Sequence, residues 1–281
     1  MDNRPILFLD SGIGGLPYCR HFHHRNPAEI LIYVADRANF PYGPRDRGEL
    51  IAALQVLFEK LIALFNPKIA AVVCNTATVS ALASLRERFP QLPFVGTVPA
   101  IKPAVLRSQK RHIGVLGTER TIEDPYIAEL AARYGPDCRI SGFAAPELVE
   151  FVEYRQARSS GEERRRMVAP YIRALRDRGA DALVLGCTHF LFLLTEFVEA
   201  AAPDIRVYDS VEGVSRRLEA LLDGGGLRVG SVPGVPGVGS VPGEPECLLV
   251  LTGDRAPDED MLRRAEAYGL SLRRLADWGA G

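Results

Sequence analysis

The chain has 281 residues, room for one large domain or two of common size, and its 47% hydrophobic and 25% charged residues are ordinary for a soluble globular enzyme. A net charge of −1 supplies no field to attract nucleic acid or anionic lipid, and no basic stripe with interleaved aromatics appears, so neither is expected as a partner. No run approaches the roughly 20 apolar residues of a membrane span, and the N-terminus lacks the pattern of a signal peptide, so the expectation is a cytoplasmic chain with reduced thiols.

In chain order, "ILFLD" (6–10) predicts a first strand ending at Asp10, followed by the turn "SGIGG". That strand starts so near residue 1 that no N-terminal regulatory extension is expected. "ILIYVAD" (30–36) predicts a second strand and "FPYG" (40–43) a turn whose backbone could line a pocket. After "YGPRD", apolar residues at 50, 54, 57, 58, 61 and 65 recur at helical spacing. Further strands are predicted at "IAAVVC" (69–74), "FVGT" (94–97), "HIGVLG" (112–117), "ALVLGC" (182–187), "RVYD" (206–209) and "CLLVLTG" (247–253). Such near-continuous Val, Ile and Leu runs are covered on both faces, which favours parallel sheet and an α/β class. The segment 224–246, rich in Gly, Pro and Val, predicts an exposed loop without a catalytic role.

The chain resembles itself. "ILFLDSGIGG" and "HIGVLGTERT" are strands followed by small polar residues, and "KIAAVVCNTAT" and "ADALVLGCTHF" are strands ending in Cys74 and Cys187. Two similar α/β halves would bring these turns, at the carboxyl ends of their strands, to one cleft. Helix capping explains Ser11, Thr76 or Thr118 singly but not two cysteines in matching places. The other cysteines, Cys19, Cys138 and Cys247, read as small core hydrophobes, and with five in all and no C-x-x-C neither disulfides nor a zinc ribbon is suggested. "HFHH" (21–24) reads as a solvated helix face rather than a metal site, so no metal is expected.

Two thiols on opposite sides of a carbon suit racemisation, which removes a proton from one face and returns one to the other. A thiol ionises near 8.5 and its surroundings can lower that value. Asp10 and His189 lie where they could assist Cys74 and Cys187. Asp10 reads equally as a helix N-cap, and His189 as a polar residue at a strand end. "DSGIGG" offers Ser11 and backbone N–H groups to a carboxylate, and Asn75, Thr76, Thr118 and Thr121 are neutral hydrogen-bonders. Pro17 breaks the dinucleotide fingerprint.

These motifs together resemble the glutamate racemases, cofactor-independent enzymes of the aspartate/glutamate racemase superfamily. "LDSGIGG", "ADRANFPYG", "CNTAT", "GTERTI", "LGCTH" and "YDS" are similar to family segments and occur in family order from residue 7 to about 210. The histidine of "GCTH" favours glutamate over aspartate. The resemblance implies that Cys74 and Cys187 are the acid/bases, assisted by Asp10 and His189, with Glu153 of "PELVEFVE" as a further carboxylate and Glu150 as its alternative. It implies substrate contacts at Asp10, Ser11, Pro41, Tyr42, Gly43, Asn75, Thr76, Thr118, Thr121, Thr188 and His189, and no cofactor. Leu191 stands where the family has proline, Arg120 where it has glycine, and Ala145 where it has cysteine.

The family fold implies two pseudo-symmetric α/β domains with mainly parallel sheets facing a cleft, residues 1–97 with 207–281 forming one and 98–206 the other. The implied product, D-glutamate, feeds peptidoglycan synthesis. The oligomeric state stays open, a homodimer being one option. Three rival readings remain: a pyridoxal-phosphate racemase, though Lys60, Lys68, Lys102 and Lys110 lie outside motif-like turns; a cysteine hydrolase using Cys187 and His189, which leaves Cys74 idle; and a non-catalytic amino-acid binding protein.

Overall fold

The computed structural model describes residues 2–228, 247–254 and 256–278; most of the expected loop, from residue 229 to 246, lies outside the described residues. The chain divides into two compact units, residues 1–97 with 211–281, and residues 98–210.

The first unit begins with β1 (Ile6–Asp10), α1 (Leu16–Arg25), β2 (Leu31–Ala35), α2 (Arg47–Phe65), β3 (Ile69–Val72), α3 (Asn75–Arg88) and β4 (Phe94–Gly96). The second holds α4 (Ile101–Arg107), β5 (His112–Gly117), α5 (Glu119–Glu123), α6 (Pro125–Tyr134), β6 (Arg139–Ala144), α7 (Pro146–Tyr154), α8 (Gly161–Asp177), β7 (Ala182–Gly186), α9 (Leu194–Ala201) and β8 (Arg206–Tyr208). The chain then completes the first unit with α10 (Val211–Gly225), β9 (Cys247–Leu251), α11 (Glu259–Ala267) and β10 (Ser271–Arg274). β8 forms a ladder with β7, so the return comes at Val211 rather than at the expected 207.

Both sheets are parallel throughout. The first has the order β10-β9-β2-β1-β3-β4, the second β6-β5-β7-β8. Laid against each other, β2-β1-β3-β4 and β6-β5-β7-β8 have the same order, which makes β1 equivalent to β5 and β3 to β7. The self-resemblance of the sequence is thus a structural repeat. Ile6, Leu7, Phe8 and Leu9 of β1 are fully buried, as a central strand covered on both faces requires. Two strands, β6 and β10, were not expected from the apolar runs; both are sheet edges carrying arginine.

Some helices start at a side-chain cap. Asp46 caps α2, accepting from the N–H groups of Gly48 at 2.7 Å and Glu49 at 3.1 Å. The apolar spacing of α2 buries Leu50, Leu54, Leu57, Phe58 and Leu61. The returning strand β9 inserts beside β2, with Leu31 opposite Cys247 and Ala35 opposite Leu251. This pairing sets the ends of β2 and β9 side by side in the first unit.

Candidate active site

In the first unit the expected residues gather at the carboxyl ends of β1, β2 and β3. Asp10 is the last residue of β1 and is fully buried. It is not a helix cap. Its carboxylate accepts from the Ser11 N–H at 2.6 Å and hydroxyl at 3.2 Å, whereas α1 starts only at Leu16 after Gly15. The "SGIGG" segment is therefore a loop rather than a helix start. Tyr33 holds it, donating to the Gly12 carbonyl at 2.8 Å and accepting from the Gly15 N–H at 3.0 Å. Gly15 must lack a side chain, because a Cβ there would lie 2.5 Å from the Val73 side chain.

Cys74 sits in the N-cap position of α3 with extended backbone (φ −137°, ψ 120°) and is 6% exposed. The positive end of α3 favours negative charge on its sulfur. Asn75 and Thr76 form the first turn, both buried. The Asn75 side-chain amide has no hydrogen-bond partner on either its oxygen or its nitrogen among the described residues. A buried amide left so is costly unless a ligand pairs with it.

Of the "PYG" turn, Pro41 is exposed, Gly43 half-buried, and Tyr42 buried with its hydroxyl donating to Asp36 at 2.7 Å. Burial pushes the Tyr42 phenol well above its ordinary value of 10.0, and the negative charges of Asp36, Cys74 and Asp10 push it further. Tyr42 therefore stays protonated, and the thiol and both carboxylates lie around it.

In the second unit the repeat places the matching groups. Cys187 follows β7 as Cys74 follows β3, again extended (φ −141°, ψ 133°) and capping a helical turn, here the 3-10 turn Thr188–Leu193 that leads into α9. Its sulfur lies 3.8 Å from His189 Nδ1, and His189 Nε2 lies 3.0 Å from Glu153 Oε2. His189 is 2% exposed and Glu153 of α7 is 7% exposed. Glu150, one turn earlier, is exposed, so only Glu153 reaches the histidine. Burial alone would push the His189 ring down, but its bonds to Cys187 and Glu153 and their negative charge outweigh that, and the ring is held well above 6.5. Thr118 caps α5 by accepting from the Thr121 N–H at 3.3 Å, and their hydroxyls lie 3.0 Å apart. Thr188 and Thr121 are buried.

Sequence reading missed Asp36, which ends the "ILIYVAD" run, and Thr252 of "LTGD". Asp36 accepts from Tyr42, from Asn39 Nδ2 at 2.9 Å and from the Thr252 hydroxyl at 2.5 Å. A carboxylate closing a strand, as Asp10 does, was the signal for Asp36; nothing in "LTGD" singled out Thr252.

The remaining motifs lie apart. The helix face bearing "HFHH" is not merely solvated: Phe22 is buried, His21 meets Glu212 at 3.0 Å, and His23 lies 3.8 Å from Cys247. Cys19 and Cys247 are buried, and Cys138 is half-buried against the second unit's core. No group of three or more metal-ligating side chains occurs among the described residues. No helix among the described residues is long and apolar enough to cross a membrane.

Comparison with known proteins places these features in context. Residues 17–215 match the family described as Asp/Glu/Hydantoin racemase. Glutamate racemase of Treponema pallidum (strain Nichols) is 42% identical over 210 residues, 75% of this chain and 78% of its own length. That of Sphingopyxis alaskensis is 38% identical over 235 residues, 82% of this chain and 87% of its own. A crystal structure of Escherichia coli glutamate racemase in complex with L-glutamate and the activator UDP-MurNAc-Ala has a TM-score of 0.80 at 29% identity, covering 96% of this chain and 98% of that one.

Proposed function

This chain belongs to the Asp/Glu/hydantoin racemase family, among its glutamate racemases, and from that premise we propose that it interconverts L- and D-glutamate by moving a proton between two thiols. Cys74 as thiolate takes the α-proton of D-glutamate, the bonding pair stays on carbon, and the Cys187 thiol returns a proton to the opposite face. The reverse direction begins with Cys187 as thiolate. Each turnover thus exchanges the protonation states of the two sulfurs, and no redox change occurs.

Asp10 assists the first thiol. His189, oriented by Glu153, assists the second as an imidazolium that stabilises the Cys187 thiolate at 3.8 Å. Ser11, the "PYG" backbone, Asn75 and Thr76 hold substrate from the first unit; Thr118, Thr121 and Thr188 hold it from the second. The product supplies D-glutamate for peptidoglycan in the cytoplasm.

The observation that carries this reading is the equivalence of the two cysteines. They occupy the same place in a repeated sheet order, each extended and each capping the following helical turn. A hydrolase needs only one of them. The test is incubation of either glutamate enantiomer in D₂O without added cofactor. Deuterium is expected at the α-carbon of both enantiomers, with aspartate reacting poorly. Activity that disappears on dialysis and returns with pyridoxal phosphate sinks the two-thiol reading; binding of glutamate without exchange points to a non-catalytic protein.

A further inference from the structure

The first half-site is closed by a residue from the far end of the chain. Thr252 follows β9 directly and is 6% exposed. Its hydroxyl donates to Asp36 Oδ1 at 2.5 Å and accepts from the Ala38 N–H at 3.0 Å, so both its capacities are used. Its own N–H donates to the Ala35 carbonyl at 3.2 Å, and the Asp36 N–H donates to the Asp10 carbonyl at 2.8 Å. The ends of β9, β2 and β1 are thereby stitched in series. Asp36, 1% exposed, uses its other oxygen to accept from Tyr42 and Asn39.

Next to this chain, the backbone N–H groups of Tyr42 and Gly43 have no hydrogen bond among the described residues. Tyr42 is 1% exposed, and a donor this buried is left unpaired only at a cost unless a ligand accepts from it. Two adjacent N–H groups suit a carboxylate. Their direction depends on the Tyr42 ring, whose hydroxyl is pinned by Asp36, whose carboxylate is in turn oriented by Thr252. Gly253, the next residue, has φ +82°, a conformation that favours glycine.

We infer that Thr252 is a positioning residue of this half-site, setting through Asp36 and Tyr42 the backbone donors that hold a substrate carboxylate. The inference rests on the racemase reading. It assigns the returning C-terminal strand a part in substrate binding as well as in closing the sheet.

The test compares the full chain with Thr252→Val, nearly the same shape without the hydroxyl, and Thr252→Ser, which keeps it. Loss of carboxylate grip weakens ground state and transition state alike, so Thr252→Val should raise KM for both enantiomers about tenfold while kcat stays within about twofold. Thr252→Ser should keep the wild-type KM. Tyr42→Phe cuts the same chain from its other end and should raise KM likewise, which carries the test if Thr252→Val does not fold. A purely structural role would instead lower kcat through a smaller active fraction and leave KM unchanged. That result, or an equal rise in KM for the Val and Ser variants, overturns the inference. So does a wild-type KM in Thr252→Val, or in Tyr42→Phe where that variant carries the test. A wild-type protein that exchanges no α-hydrogen overturns the racemase reading and this inference with it, so the two failures are distinct.

Discussion

A histidine 2% exposed ordinarily sheds its charge, yet His189 lies between a thiol and a carboxylate that favour the imidazolium. Its folded value lies above the ordinary 6.5, so proton binding favours the folded state. That contribution is complete below about pH 6.5 and drains away as pH rises through the folded value. The melting-temperature gap between wild type and His189→Asn should therefore be widest below that pH and narrow on the alkaline side. NMR titration of the His189 ring should place its pKa above 6.5 and lower it in Glu153→Gln; a ring titrating at or below the ordinary value would contradict the chain Cys187–His189–Glu153. Legibility at this scale followed the chemistry of each residue. Cys74 and Cys187 stood out because they end matching strand runs, and His189 because it lies two residues after Cys187. Glu150 and Glu153 share a helix one turn apart, and only burial separates them. Asp36 and Thr252 stayed hidden because their value lies in a partner on another element.

The central strands were legible, as were the edge strands β4 and β8; the edge strands β6 and β10 were not. β1, β3, β5 and β7 are buried on both faces and read as near-continuous apolar runs. The edge strand β6, "RISGFA", exposes Arg139 and has Ser141 and Gly142 in its interior, and β10, "SLRR", ends in two arginines, so neither carries an apolar run. Loops were read by composition, which gave "SGIGG" its polar donors but not its shape. That shape comes from Tyr33 in the neighbouring strand β2, whose hydroxyl satisfies both Gly12 and Gly15. Tyr33→Phe leaves a buried carbonyl and N–H unpaired and should cost about 1–3 kcal/mol of stability, measured by denaturant unfolding. The loop also carries Ser11 beside Asp10, so KM for glutamate should rise in the same variant. Unchanged stability together with unchanged KM would mean that the loop holds its form without the hydroxyl.

The repeat is a property of the whole molecule, visible in sequence as two Ser/Thr turns alternating with two cysteine turns and in structure as one strand order used twice. Its C-terminal completion was legible only in outline, since parallel pairing of β2 with β9 joins segments more than two hundred residues apart (Leu31 with Cys247) and leaves no local pattern. Repetition has a chemical consequence that one unit alone cannot have. If each unit supplies one thiol to opposite faces of the same carbon, serine at either position, a far weaker acid, should abolish racemisation. Chemistry on one face should survive, because elimination of a leaving group from the β-carbon needs a single base. Cys187→Ser retains Cys74 and should eliminate from the D-enantiomer of such an analogue; Cys74→Ser retains Cys187 and should eliminate from the L-enantiomer. The rates should fall far, since a general acid–base group commonly contributes about 10²–10⁴-fold; the preference is what decides. Two variants that favour the same enantiomer would place both sulfurs on one side of the carbon, and a Cys74→Ser protein with full racemase activity would leave the first unit's thiol without a task. Opposite preferences are the outcome that the proposed two-thiol mechanism requires.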